Sequence, residues 1–286
     1  MTNDVADPHS SWPDRTPLSD ADGRLLLVFT KSESVGSQTP WVDGVWRPTG
    51  ISPDEAVRTA LDAFAGWLLS TSDPDLVAGL MAAGSIERRH AHAMSHDLAV
   101  IPPRPLDPGV ELKPLTPDLI GEQADRLADL YRLAYPGHHP DAFYGDRAAA
   151  LDHLHQIAAG HVLGPLLPES RAALLRATMV GACFVVDRGG APPDGGPWIL
   201  DVFRDPQLRV PGIGSALLVA VLAAARGHDR PGISLAVSDA NNRARRLYTR
   251  LGFTDHGPSW TLRLPAAPGP LSRDLSAGSS TRRSPV

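Results

Sequence analysis

Two short stretches carry side chains whose types and spacing suit chemistry on a ligand. In Arg209-Val210-Pro211-Gly212-Ile213-Gly214 the glycines let a backbone approach a ligand closely. The apolar run that follows would start a helix whose N-terminus offers free N–H groups and a positive dipole to a phosphate. A plain turn that happens to contain two glycines satisfies the same hexapeptide in a chain with 26 of them. The second stretch, NNRARRLYTRLGF at residues 241–253, places Ala244, Leu247 and Leu251 at i, i+3 and i+7, the stripe that a helix buries against a sheet. Asn241 and Tyr248 lie about two turns apart, so an amide and a phenol share a face beside that stripe.

Other reactive side chains are less pointed. Histidines cluster as His90, His92 and His96, as His138 and His139, and as His153 and His155. No cluster has a zinc-ligand spacing supported by Cys or by a His-Glu motif, so the spacing predicts surface histidines and no metal. The sole cysteine, Cys183, lies in the apolar run MVGACFVVD and reads as a small buried residue, which excludes an intrachain disulfide framework.

These residues need elements to hold them. Residues 110–114 read as a short strand, and 118–134 as a helix in which Leu119, Leu127, Leu130 and Leu133 keep a 3.6-residue period. YPGHHPDAFYGD breaks that pattern before a second helix over 147–159. Strands follow in RAALLRAT, MVGACFVVD and PWILDVFRD. Residues 213–226 are apolar nearly all round, as for a helix buried on a sheet, and ISLAVS is a short buried strand. The order βααβββαβαβ is that of an α/β domain.

At 286 residues and 42% apolar content, the chain can bury one large core or two modest ones. A net charge of −5 without a dense Lys/Arg block argues against a nucleic-acid surface. The N-terminus is acidic and polar where a secretory signal needs basic and then apolar residues, and apolar runs fall short of the ~18 residues of a membrane span. A soluble, cytoplasmic protein is expected. Residues 1–22 and 266–286, rich in Pro, Ser, Gly and charge, are expected to be disordered tails. IPPRPLDPG at 101–109, with four prolines in nine residues, reads as a linker between an N-terminal lobe (23–100) and a second domain (110–265).

The glycine hexapeptide, the apolar helix, the strand LAV and N-x-x-A-x-x-L-Y-x-x-x-G-F follow one another in order up to Phe253. Over about residues 108–265 the sequence here resembles the GCN5-related N-acetyltransferase (GNAT) family. The resemblance implies an α/β fold with a mixed, mostly antiparallel central sheet flanked by helices. It implies direct transfer of an acyl group from acetyl-CoA to an amine on a small molecule or peptide, by a monomer or homodimer. An acyl-CoA-binding regulator without turnover is the alternative. Residue by residue, it implies that Arg209, Val210, Pro211, Gly212, Ile213 and Gly214 wrap a pyrophosphate. It also implies that Asn241 contacts the cofactor and that the backbone of Val202, Phe203 and Arg204 faces the pantetheine arm. Tyr248 would lie near the thioester sulfur; a phenol with an ordinary pKa near 10 is protonated at neutral pH and can protonate a leaving thiolate. Tyr135, His138, His139 and Tyr144, in the loop between the first two helices, would contact the acceptor. Some relatives carry a glutamate on the strand before the Asn helix. Ala236 stands there in this chain, leaving Asp201 as the nearest candidate base. Pro211 removes one N–H from the loop, and Val210 occupies a position that is often Gly in the family.

Residues 70–98 read as a worn copy of the same region. Ser70 to Gly84 spans the interval of Ser238 to Gly252, each after a short apolar strand, and SPDEAVRTALDAFAG takes the place of GIGSALLVAVLAAAR. No R-x-x-G-x-G precedes it, Asp73 stands where Asn241 does and Leu80 where Tyr248 does. The expected lobe is a degenerate, shortened copy with a structural or substrate-shaping role; an unrelated α/β cap is the alternative.

Overall fold

The computed structural model describes residues 7, 9–32 and 39–266. Its first half contains β1 (Arg15–Ser19), β2 (Leu25–Ser32), β3 (Trp41–Trp46), α1 (Pro53–Ala63), β4 (Leu68–Thr71), α2 (Pro74–Ala82) and β5 (Ile86–His96). The second half begins with β6 (Val110–Pro114), α3 (Pro117–Glu122), α4 (Ala124–Ala134), α5 (Arg147–Ala158), β7 (Arg171–Leu175) and β8 (Thr178–Asp187). It ends with β9 (Pro197–Arg204), α6 (Ile213–Gly227), β10 (Ile233–Ser238), α7 (Asn242–Leu251) and β11 (Thr254–Arg263). Local chemistry sets the helix starts: Ser52, Asp73 and Thr116 each cap a helix through the side chain and are each followed by Pro at the first helical position, where no N–H is missed. No helix among the described residues is long and apolar enough to cross a membrane.

The strands form one sheet in the order β1-β2-β3-β4-β11-β5-β10-β9-β8-β7-β6. Pairing is antiparallel except at β3–β4 and β9–β10. The two halves exchange strands: β11 pairs with β4, β5 pairs with β10, and β5 and β11 pair with each other. Side chains follow the exchange. Leu262 and Leu264 fill the core of the first half around Leu27, Leu69 and Leu80, while Met94 and Leu98 join the core of the second around Leu217, Leu235 and Leu251. A third core lies under α3, α4 and α5.

The internal repeat is visible in this topology, because β3, α1, β4, α2 and β5 recur as β9, α6, β10, α7 and β11. Asp73 caps α2 as Asn241 caps α7, and Gly84 and Gly252 close the two helices at φ +93° and +96°, a conformation that favours glycine. Leu80, at the place of Tyr248, is fully buried.

Three expectations need correction. Part of the supposed N-terminal tail is ordered: Arg15–Ser19 is an edge strand, Arg15 pairs with Asp7 at 2.8 Å, and Trp12 packs on the Arg188 guanidinium at 4.7 Å. The Pro/Ser/charge composition hid a strand held by ion pairing and cation–π contact rather than by apolar burial. The helix expected over 118–134 is two helices, broken at Gln123, whose φ −109° and ψ +14° leave the helical region. The boundary at 101–109 does not divide the sheet, since β5 lies before it and sits between two strands that follow it. Of the C-terminal tail, only Ala266 is described.

Candidate active site

β9 and β10 run parallel for only two residue pairs, Trp198 with Ser234 and Ile199 with Leu235. Beyond these pairs the strands part, and their residues Leu200–Arg204 and Leu235–Val237 line a cavity of about 810 Å³. A bulge at Leu200 decides which way the strand presents its chemistry. Phe184 pairs with Asp201 but the next residue, Val185, pairs with Ile199, so one residue of β9 is extra. Without the bulge Ile199 and Asp201 would share a face. With it, Ile199 packs toward α6 while Asp201 and Phe203 turn toward α4 and α5.

Asp201 sits among aromatic side chains, its own side chain only 15% exposed. The Tyr131 hydroxyl donates to its Oδ2 at 3.3 Å, and His153 Nε2 lies 4.0 Å from the same oxygen. Burial pushes its pKa up to about 7; the Tyr135 and Tyr131 hydroxyls offset part of this, Asp141 adds to it and Arg89 opposes it. Burial also lowers the pKa of His153, which keeps that ring neutral beside the carboxyl group. A carboxyl group titrating near neutrality and lining a cavity is suited to accept a proton.

Tyr248 reaches the cavity from α7 on the far side of the splay. Its ring is buried against Phe253 at 5.6 Å, and its hydroxyl has no hydrogen-bond partner among the described residues. Burial raises its pKa, so the phenol keeps its proton. Asn241 is the N-cap of α7: its Oδ1 accepts from the Ala244 N–H at 3.1 Å and its Nδ2 donates to Asp141 Oδ2 at 3.0 Å. The Ser238 hydroxyl donates to the other oxygen of Asp141. Asp141 therefore fastens the 135–144 loop to the end of β10 and the start of α7, beside the cavity.

The glycine loop lies at the other end. Gly212 caps α6 at φ +84°, and a Cβ there would come 3.5 Å from the carbonyl of Pro105, so the proline-rich segment packs against the loop. Arg204 holds the approach by donating to the carbonyls of Asp205 and Leu208 at 2.8 and 3.0 Å. The first N–H groups of this fifteen-residue helix face an opening in which Gly214 leaves free space.

Most of the residues singled out in the sequence meet at this cavity: Asp201, Val202, Phe203 and Arg204, Pro211, Gly212 and Gly214, Asn241 and Tyr248, and Tyr135, His138 and His139. Four do not line it. Tyr144 is 86% exposed. Arg209 is exposed, Val210 packs on the core beside α6, and the Ile213 side chain is fully buried, which leaves only its backbone to face a ligand. Three further cavity-lining arginines were not singled out in the sequence: Arg243 and Arg250 on α7, and Arg89 on β5 of the first half. Arg243 and Arg250 are seven residues apart, a helical spacing that could have disclosed them; Arg89 is placed only by strand exchange.

Comparison with known proteins agrees with this geometry. Residues 124–253 match the Acetyltransferase (GNAT) family. Over 68 residues the chain is 48% identical to a mycothiol acetyltransferase of Acidimicrobium ferrooxidans, a segment that covers 23% of this chain and only 22% of that relative. Among solved structures, a GCN5-related N-acetyltransferase from Sphaerobacter thermophilus aligns with a TM-score of 0.58 at 17% identity, over 89% of this chain and 82% of that one. Another from Kribbella flavida aligns at 0.56 and 16% identity, over 89% and 91%. A tandem GNAT protein from the clavulanic acid biosynthesis pathway aligns at 0.52 and 16%, over 87% and 82%. At these identities the solved structures show the fold, which takes in both halves of the chain. The likeness to the Acetyltransferase (GNAT) family in sequence covers residues 124–253, and the likeness in fold extends over both halves of the chain.

Proposed function

We propose that the chain is an acetyl-CoA-dependent N-acetyltransferase that passes the acetyl group directly to an amine. The observation that carries this reading is that Asp201 and Tyr248 both line one cavity, which Gly212 and Gly214 at the N-terminus of α6 line as well. The residues fit acetyl-CoA: free helix N–H groups and Gly214 offer space and donors for a pyrophosphate, and Arg243 and Arg250 add positive charge nearby. Bound there, acetyl-CoA supplies the activated acyl thioester. Val202 to Arg204 pair with β8 on one side and have no strand partner on the side of β10, where only the Val202 carbonyl accepts from the Tyr135 hydroxyl at 3.3 Å, so the splay gives the pantetheine arm a strand edge to lie against.

In this reading Asp201 removes a proton from the incoming ammonium, through its Oδ2 or a bridging water, and a pKa of about 7 lets it do so near neutrality. As the amine nitrogen bonds to the acetyl carbon and the C–S bond breaks, Tyr248 would pass its Oη proton to the departing sulfur. Tyr135, His138 and His139 shape the acceptor side, and Arg89 brings the first half into the same wall. Release of free CoA thiol from acetyl-CoA across a panel of amines tests the proposal. Amine-dependent release supports it; binding of acetyl-CoA without release from any amine would favour a silent acyl-CoA-binding protein.

A further inference from the structure

The histidine-rich stretch of β5 has a feature that the active-site reading does not use. His90 and His92 stand two apart on one strand, so both rings point to the same face, away from Arg89. The turn after β10 brings Asp239 to them, held by its backbone N–H bond to the His90 carbonyl at 3.0 Å. His90 Nδ1 lies 3.9 Å from Asp239 Oδ2, and His92 Nε2 lies 3.1 Å from Asp239 Oδ1. One ligand atom from each of the three residues falls within 4.8 Å of the other two.

We propose that His90, His92 and Asp239 form a site for one divalent ion of the zinc class, with a fourth position open to water. Two imidazoles and a carboxylate are a ligand set suited to such an ion. The surroundings are arranged as for a ligand cluster. His92 Nδ1 bonds Asp255 Oδ1 at 2.9 Å, which fixes the ring and leaves Nε2 directed at Asp239, as in a carboxylate–histidine–metal relay. His90 stacks on Trp260 with an interplanar angle of 12°, and neither of its ring nitrogens makes a hydrogen bond among the described residues; Nε2 is buried without a partner. Asp239 Oδ2 is likewise free of hydrogen bonds, because Arg245 and His92 both bond Oδ1. Arg245 donates to Asp239 Oδ1 and to Asp255 Oδ2 and lies 3.3 Å from His92 Nδ1, so its single positive charge is shared between two carboxylates and Asp239 Oδ2 is the oxygen left for a cation.

Coordination needs ligand atoms about 3.3 to 3.6 Å apart around bonds of about 2.0 to 2.2 Å. His90 and Asp239, with side chains 32% and 44% exposed, are free to close the remaining distance. The sequence pattern gave no sign of the site, because its carboxylate ligand lies on the far side of the linker. An ion there ties β5 of the first half to the residues entering α7.

Titration of the untagged full-length chain with zinc chloride, by calorimetry or against a chromophoric chelator, tests the site. One equivalent should bind with a dissociation constant of about 1 μM or below, and cobalt(II) should give the intense visible bands of a four-coordinate N/O site. His90→Ala and Asp239→Asn should each weaken uptake at least ~10²-fold, and Asp255→Asn about tenfold, through the orientation of His92. His90→Ala breaks no hydrogen bond and so remains informative if His92→Ala does not fold. Absence of saturable uptake by the native chain, or unchanged uptake in folded His90→Ala and Asp239→Asn, overturns the proposal.

Discussion

Replacing Asp201 by Asn tests both the chemistry and the electrostatics assigned to the cavity. The substitution keeps the shape and removes the charge. In the native chain Asp201 titrates at about 7, raised from an ordinary carboxylate value of 3.8 chiefly by burial. The folded state thus disfavours its ionised form. Its contribution to stability is full below the unfolded value and is lost as pH rises through the folded value. Between pH 5 and 7 the unfolded chain carries the charge and the folded chain resists it, at about 1.36 kcal/mol per pH unit, so two units cost up to about 2.7 kcal/mol. The Asn variant has no such penalty. Urea denaturation should therefore show the variant gaining on the native protein as pH rises from 5 to 7, with no further gain above about pH 8. In activity the native kcat/KM should rise about tenfold per pH unit below 7 and level above it, while the variant should lose roughly 10²- to 10⁴-fold and that inflection with it. A native pH–rate profile flat between 5.5 and 8, together with parallel stability curves, would refute the assignment of a buried, neutral-range carboxyl group at this position.

Tyr248→Phe keeps the ring against Phe253 and removes a hydroxyl that has no hydrogen-bond partner among the described residues, so stability should hardly change while single-turnover rates fall roughly 10²- to 10⁴-fold; an intact single-turnover rate removes Tyr248 from the chemistry. Because Arg209 is exposed and does not line the cavity, Arg209→Ala should weaken acetyl-CoA binding by no more than about 1 kcal/mol. The double change Arg243→Ala with Arg250→Ala, at positions lining the cavity, should cost at least about 1.5 kcal/mol by calorimetry; the reverse order would return the phosphate contact to the hexapeptide arginine. A fragment beginning at residue 101 lacks β5 and exposes unpaired edges of β10 and β11, so it should aggregate or unfold without cooperativity. Size-exclusion and thermal scans of the fragment check this, and a monomeric, cooperatively folding product contradicts it.

Much of the second half was legible because its signals are local. The stripe Ala244, Leu247, Leu251 specified α7, and the run from Ile213 to Arg226 specified a helix apolar enough to be buried. The Asn–Tyr spacing put Asn241 and Tyr248 on one cavity wall, since 3.6 residues per turn leaves that geometry little freedom. The elements of Ser70–Gly84 were legible for the same reason: strand, cap, helix and closing glycine are each written within a few residues. What Asn241 does was less visible. Its amide caps α7 and holds Asp141, a partner 100 residues earlier in the chain.

Sequence by itself determined most helices of the second half, the strands beside them, the glycine turn before α6 and the identity of the side chains that could move a proton. Tertiary structure alone decided which of these meet. The bulge at Leu200 turns Asp201 toward Tyr131 and His153, and a one-residue shift in strand register has no signature in composition or periodicity. The exchange of β5 and β11 carries Arg89 into the cavity wall and sets His90 and His92 beside Asp239. Backbone hydrogen bonds between strands are nearly blind to which residues make them. The partner of an edge is chosen by the side chains it buries, here Leu262 and Leu264 in one core and Met94 in the other, and that choice exists only once both halves are folded together.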